Sequence, residues 1–244
     1  MAILTAPVYA GTVELGDGVE AVWSLGASFT SGTRMGNPDS NMIGIGDGGQ
    51  ASPATHSHDK NFQKHDSISQ SGRIIGDVNI RKGNSGLMLR GKAWNNLLYS
   101  HGEQDFGAPS NGFRPGTRLS DDQFDTRLSK FSGVELLDAY AYTSFDLGES
   151  TQLKVRFGQH VVNFGESICV PGVNQYQALD ITALRQPGTQ LKEALLPVPQ
   201  ISANLGLGNG LSVEGFYQFG WRRSPLGGCG TYWSPANALN CVNG

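Results

Sequence analysis

One property confines this chain more than any other: apolar residues recur at every second position, in stretch after stretch. Ala21, Trp23, Leu25, Ala27 and Phe29 alternate with Val22, Ser24, Gly26, Ser28 and Thr30. Ile74, Gly76, Val78 and Ile80 alternate with Asp77, Asn79 and Arg81, and Leu87, Leu89, Gly91 and Ala93 with Met88, Arg90, Lys92 and Trp94. Further on, Leu137, Ala139, Ala141, Thr143, Phe145 and Leu147 interleave with Asp138, Tyr140, Tyr142, Ser144 and Asp146. Leu153, Val155, Phe157 and Val161 interleave with Lys154, Arg156 and His160. A weaker stretch carries Ile201, Ala203, Leu205 and Leu207, and a last one sets Leu211, Val213, Tyr217, Phe219 and Trp221 opposite Ser212, Glu214 and Gln218. Side chains of a strand alternate between faces, so each stretch predicts a strand with one apolar and one polar side.

Most of these seven strands reach about 9–12 residues, the length that crosses a bilayer when tilted, whereas soluble strands average nearer 5–6. Their connections alternate in size. Lys82–Ser85, Gly148–Thr151 and Gly208–Gly210 are tight turns, while Ser31–Gln70, Leu98–Ser132, Asn163–Pro199 and the segment from Arg222 onward are long and polar. Short turns on one side and long loops on the other characterise outer-membrane barrels, and soluble domains rarely repeat loops of this length. The expected fold is therefore all-β: an antiparallel up-and-down transmembrane β-barrel with long extracellular loops. Aromatics near strand ends (Trp23, Phe29, Tyr99, Phe145, Phe219 and Trp221) suit an interfacial girdle, although β propensity alone also favours them.

Composition agrees. Charged residues are 16%, well under the ~25% of average soluble domains. Net charge is −3, which offers nucleic acid no basic surface. No apolar run is long enough for a membrane-spanning helix. Residues 1–10, MAILTAPVYA, end in a small-x-small pattern and are read as the tail of an export leader, leaving 11–244 as one barrel domain; an ordinary apolar N-terminus is the alternative. An odd strand count and an end inside a loop lead us to expect a C-terminal portion beyond this sequence, or several chains sharing one barrel. Cys229 and Cys241, twelve residues apart in a Gly/Asn/Pro-rich segment, suit a disulfide-closed loop in an oxidising compartment; Cys169 is left over.

From Phe131 the text turns specific: FSGVELLDAYAYTSFDLGE, VRFGQHVVNFGES, ALDITALRQPGTQLKEALLPVPQISANLGL and LSVEGFYQFGWRRSPLGGCGTYWS. These segments resemble the proteobacterial domain-of-unknown-function family thirteen-oh-two (DUF1302), over about residues 11–244. This chain has Gly158-Gln159 and Phe164-Gly165 where the family pattern carries Arg before the Gln and Trp before Gly-Glu-Ser. The resemblance implies an exported protein of the Gram-negative outer membrane, in contact with membrane lipid. It also implies partnership with a periplasmic lipoprotein-sorting-like protein and an inner-membrane resistance–nodulation–division-type transporter, and hydrophobic small molecules as cargo.

Four groups of residues bear on chemistry. His56, His58 and His65 could ligate a metal but sit in a polar loop, so no metal or other cofactor is expected. Gly165-Glu166-Ser167 lacks the strand–turn–helix setting of a nucleophile elbow, so Glu166 and Ser167 are expected to anchor a loop, and no catalytic residues are assigned. Residues 180–193 (DITALRQPGTQLKE) hold two short helical turns and either fold inward as a plug, cap the mouth, or stay outside as a compact loop. On the polar faces, Arg90, Lys92, Lys154 and Arg156 face Asp138 and Glu214; they either set the selectivity of a lumen or fill it with salt bridges. The expected function is a channel or uptake protein for hydrophobic or amphipathic small molecules, not an enzyme; the alternative is an adhesin or structural scaffold without conduction.

Overall fold

The computed structural model describes residues 2–5, 8–52, 60–101, 104, 118–122, 124, 126–163 and 176–234. Nine segments are extended: β1 (Ala2–Thr5), β2 (Tyr9–Gly16), β3 (Val19–Thr33), β4 (Ser67–Lys82), β5 (Ser85–Asn96), β6 (Ser132–Asp146), β7 (Gln152–His160), β8 (Val198–Gly208) and β9 (Leu211–Gln218). All pair antiparallel in one sheet with neighbours in chain order. β1 and β2 both pair with β3, at its two ends, and together fill one strand position. The sheet is thus an up-and-down meander eight strands wide. Among the described residues its two edges, β1/β2 and β9, do not pair, and the sheet is open.

The seven expected strands all form, and the structure adds an eighth. Tyr9–Gly16 alternates too weakly to announce itself. It pairs because Gly16, Asp17 and Gly18 all adopt positive φ and reverse the chain into Val19. Part of the segment read as an export leader, Ala2–Thr5, lies against Ser28–Ser31.

The register sorts the side chains into two faces. On one face rows run across the sheet, such as Ala21, Ile80, Leu87, Ala141, Phe157, Ile201 and Tyr217. That face is apolar and uncovered: Ile74, Phe157, Val213 and Tyr217 are each at least half exposed. The other face is polar, and the long loops pack against it.

A bulge in β6 corrects one expectation. Leu89 pairs with Ala139 and Gly91 with Leu136, so Leu137 and Asp138 together oppose Arg90. The extra residue shifts the alternation, and Leu137 leaves the apolar row to which its odd number assigned it. It is fully buried on the polar side with Ile75, Leu128 and Leu196, while Leu136 takes the exposed position.

Aromatic rings lie over glycines on the adjacent strand. Trp23 pairs with Gly11, Trp94 with Gly133 and Tyr142 with Gly86. A Cβ added at any of the three would come within 2.9 Å of the opposing ring. The missing side chain is the space the ring occupies. Gly158 has φ +126°, and its Cβ would stand 2.5 Å from the Ala139 carbonyl.

The long loops form a second layer with its own core at the end of the sheet opposite the tight turns. Phe62, Ile68, Tyr99, Leu119, Phe124, Phe131 and Cys229 are buried together. Phe62 meets Tyr99 and Tyr232 edge-on, and Phe124 meets Phe131 likewise. The Tyr99 hydroxyl donates to the Ile68 carbonyl (2.8 Å) and accepts from the Tyr232 amide (3.2 Å). Burial pushes its pKa well above the ordinary phenol value. Cys229 is disulfide-bonded. Cys169 and Cys241 lie outside the described residues.

Two measurements test this architecture. Leu137→Ala should lower stability by about 2–5 kcal/mol and Leu136→Ala by much less, read as shifts in the urea midpoint. Gly86→Val should push the Tyr142 ring aside and break its 2.9 Å hydrogen bond to Asn79, read as a lower thermal midpoint that Gly86→Ala shows in milder form.

Candidate functional site: a loop folded onto the polar face

The segment after Tyr176 runs back across the polar side of the sheet and makes two single-turn helices, α2 (Ile181–Leu184) and α3 (Leu191–Ala194). Its local causes are short-range. Asp180 accepts a hydrogen bond from the Ala183 amide and so caps α2. Arg185, Gln186, Pro187 and Gly188 end that turn, with Gly188 at φ +78°. The Gln190 amide donates to the Glu193 carboxylate at the start of α3. The segment's two limbs are then clasped: the Asp180 amide donates to the Ala194 carbonyl (2.7 Å) and the Leu196 amide to the Ala178 carbonyl (3.0 Å).

Two cations of the sheet hold this loop. Lys92 of β5 forms a 2.7 Å ion pair with Asp180 and donates to the Glu193 carbonyl (2.8 Å). Both side chains are almost wholly buried, at 7% and 3% exposure. Arg73 of β4 reaches the Thr189 hydroxyl (2.5 Å) and the Gln186 side-chain oxygen. Beneath the loop, Leu196 packs on Leu137 and Ile75. Lys192 points toward Asp77 at 3.9 Å. Residues 180–196 thus lie on the polar face of β4–β6.

The six charged residues singled out from sequence do not form one strip. Arg90 pairs with Asp138 (2.8 Å) and stands 3.7 Å from Asp77. Lys92 leaves the strip for Asp180. Lys154, Arg156 and Glu214 lie apart on β7 and β9, around a depression of about 230 Å³ shared with Ser202 and Asn204. Glu166 and Ser167 lie outside the described residues, as do His56 and His58.

Sequence reasoning missed the partners. Arg73, Asp180 and Glu193 hold the loop, and Glu135 of β6 is gripped by Arg127 (2.5 Å) and by Arg222 from the segment after β9. Asp180 carried a local signal, because an Asp directly before a short helical pattern is an N-cap. Nothing local pairs Asp180 with Lys92, 88 residues earlier.

The pattern of the family described as "Protein of unknown function (DUF1302)" matches residues 1–242. The chain belongs to that family. The match spans essentially the whole sequence, including Ala2–Gly16, and both the meander and the loop of residues 180–196 fall within it. No curated protein and no solved structure matches the chain.

The buried pair makes a sharp prediction. Lys92→Ala leaves Asp180 buried without a counter-charge and should cost about 3–5 kcal/mol, whereas Lys92→Met with Asp180→Asn should cost much less. Trypsin cleavage after Arg185 and Lys192 reads the same event locally: fast in the single variant, slow in wild type.

Proposed function

We propose that this chain is part of an outer-membrane β-barrel of a Gram-negative bacterium. In this reading it works as a channel or uptake protein for hydrophobic or amphipathic small molecules. The observation that carries the reading is the inverted amphipathicity of the sheet. Its apolar face is broad and uncovered, and its polar face is the one that carries a folded loop. In water the preference would be reversed, since soluble proteins rarely leave an apolar area of this breadth uncovered. In a bilayer both faces are satisfied: lipid meets Ile74, Phe157, Val213 and Tyr217, while Arg90, Asp138 and Lys154 face an aqueous interior.

Three further features support it. β3, β4 and β6 are 15, 16 and 15 residues long, more than the ~9–11 that a tilted strand needs to span the hydrocarbon. Tight turns gather at one end of the sheet, which this reading assigns to the periplasm, and the disulfide-bearing loop layer gathers at the other, assigned to the outside. Lipid tolerates no unpaired strand edge, so β1/β2 and β9 require further strands to close the barrel. Within the closed barrel, residues 180–196 act as a plug, held by Lys92 and Arg73. Cargo passes when the plug yields, or slips beside it along β7–β9. Cargo delivery to a periplasmic carrier and an inner-membrane transporter completes the proposal.

Single cysteines at Met35, in the loop layer, and at Ser150, in a tight turn, test the topology. A membrane-impermeant maleimide applied to intact cells should label Met35→Cys above the wild-type baseline and leave Ser150→Cys at it. Equal labelling, or recovery of the protein in the soluble fraction, would overturn the barrel. Proteoliposomes should then swell in small solutes, and faster with Asp180→Asn; an inserted protein that never swells them would leave an adhesin or scaffold.

A further inference from the structure

The cations of the polar face are not all used. β4 and β5 aim four at it, and each is engaged: Arg73 by the loop, Arg81 by Glu20 (2.7 Å), Arg90 by Asp138 and Lys92 by Asp180. β7 aims two more, Lys154 and Arg156. Neither forms a hydrogen bond or ion pair among the described residues. They sit on one side of the depression shared with Ser202, Asn204 and Glu214. The register fixes its floor. Lys154, Asn204 and Glu214 are directly opposed across three strands, and Arg156 opposes Ser202 one step along. Opposed residues stand about 5 Å apart at Cβ, so the two cations and the Asn204 amide are near enough for one small anion to meet all three.

Charge decides what kind. Lys154 and Arg156 bring +2, Glu214 brings −1, and the sum is +1. A monoanion neutralises the group, and a dianion overcompensates it. Arg156 offers a planar fork that matches a carboxylate in two parallel hydrogen bonds, Lys154 a compact charge, and Asn204 an amide donor. The plug covers β4–β6 and leaves this patch on β7–β9 open. We infer that the patch is a binding site for a carboxylate, and that the cargo proposed above carries one. This deepens the channel reading and rests on it for the cargo, while the binding itself does not require conduction.

Calorimetry on the full chain in a non-ionic detergent tests it with three probes: butyrate, laurate and dodecanol. Laurate should bind at least about tenfold more tightly than dodecanol, because only the head differs. Lys154→Gln with Arg156→Gln should abolish that preference, and Lys154→Arg with Arg156→Lys should largely restore it. Glu214→Gln should tighten laurate several-fold by removing the like charge. Butyrate binding as tightly as laurate identifies a small free carboxylate, and laurate binding far more tightly identifies an acidic amphiphile. Laurate and dodecanol binding alike, or full laurate affinity in the Gln/Gln variant, would overturn the site. A chain with the expected laurate pattern that never swells proteoliposomes sinks the channel and spares the site; a conducting chain indifferent to these substitutions does the reverse.

Discussion

Strand register is the constraint on which everything else in this molecule depends. Because side chains alternate with period two, the pairing that sets Ala21 beside Ile80 and Leu87 also sets Arg90 beside Asp77. A slip of one residue in any strand would carry charged groups into the apolar face and leave apolar ones against the loop layer. Both errors are costly, one through desolvated charge and the other through lost burial. The two faces therefore enforce each other, and the strength of the enforcement grows with strand length. β3 and β4, at 15 and 16 residues, share the longest uninterrupted ladder, broken only near Thr33.

The loop on the polar face is held by different physics. Apolar burial beneath it is small, consisting of Leu196 on Leu137 and Ile75. Its position is fixed by charge and by hydrogen bonds whose geometry admits one arrangement. A buried ion pair adds little net stability because desolvation offsets the Coulomb attraction, but it is intolerant of misplacement. Lys92 meets both the Asp180 carboxylate and the Glu193 carbonyl only when α2 and α3 are both formed and clasped. A loop held in this way is specified by polar geometry more than by apolar burial.

How far the fold could be read from sequence follows the range of the interactions. The strands β3–β9 were legible because period two is a local signal repeated many times. Leu137 was not, because a bulge adds one residue without altering the composition, and the alternation continues past it out of phase. Tyr9–Gly16 was not, because its partner residues lie on β3 and its own pattern is diluted by Gly11 and Thr12. The loop of residues 180–196 was legible as helical turns but its place on the polar face was not, since the residues that hold it, Lys92 and Arg73, are about a hundred positions away. The loop core of Phe62, Tyr99, Phe124 and Phe131 draws single aromatics from separate loops, and no periodicity marks it. Among the charged residues the polar side was correct, but their grouping depends on which strands are neighbours and on the partner each finds.

The glycine content, 34 residues, acquires a structural reason from the aromatic pairs. Glycine weakens a strand by its entropy and by the side chain it fails to pack. Here the opposing ring supplies the missing cover: Trp23 over Gly11 on the apolar face, and Trp94 and Tyr142 over Gly133 and Gly86 on the polar one. Each pair works in one register only, since displacing a strand by two residues, which preserves the faces, would drive a ring into a side chain. Alternation excludes the odd slips and leaves the even ones nearly isoenergetic. The ring-over-glycine pairs exclude the even slips at β2–β3 and β5–β6, so these strands, with little buried core of their own, still have a single register.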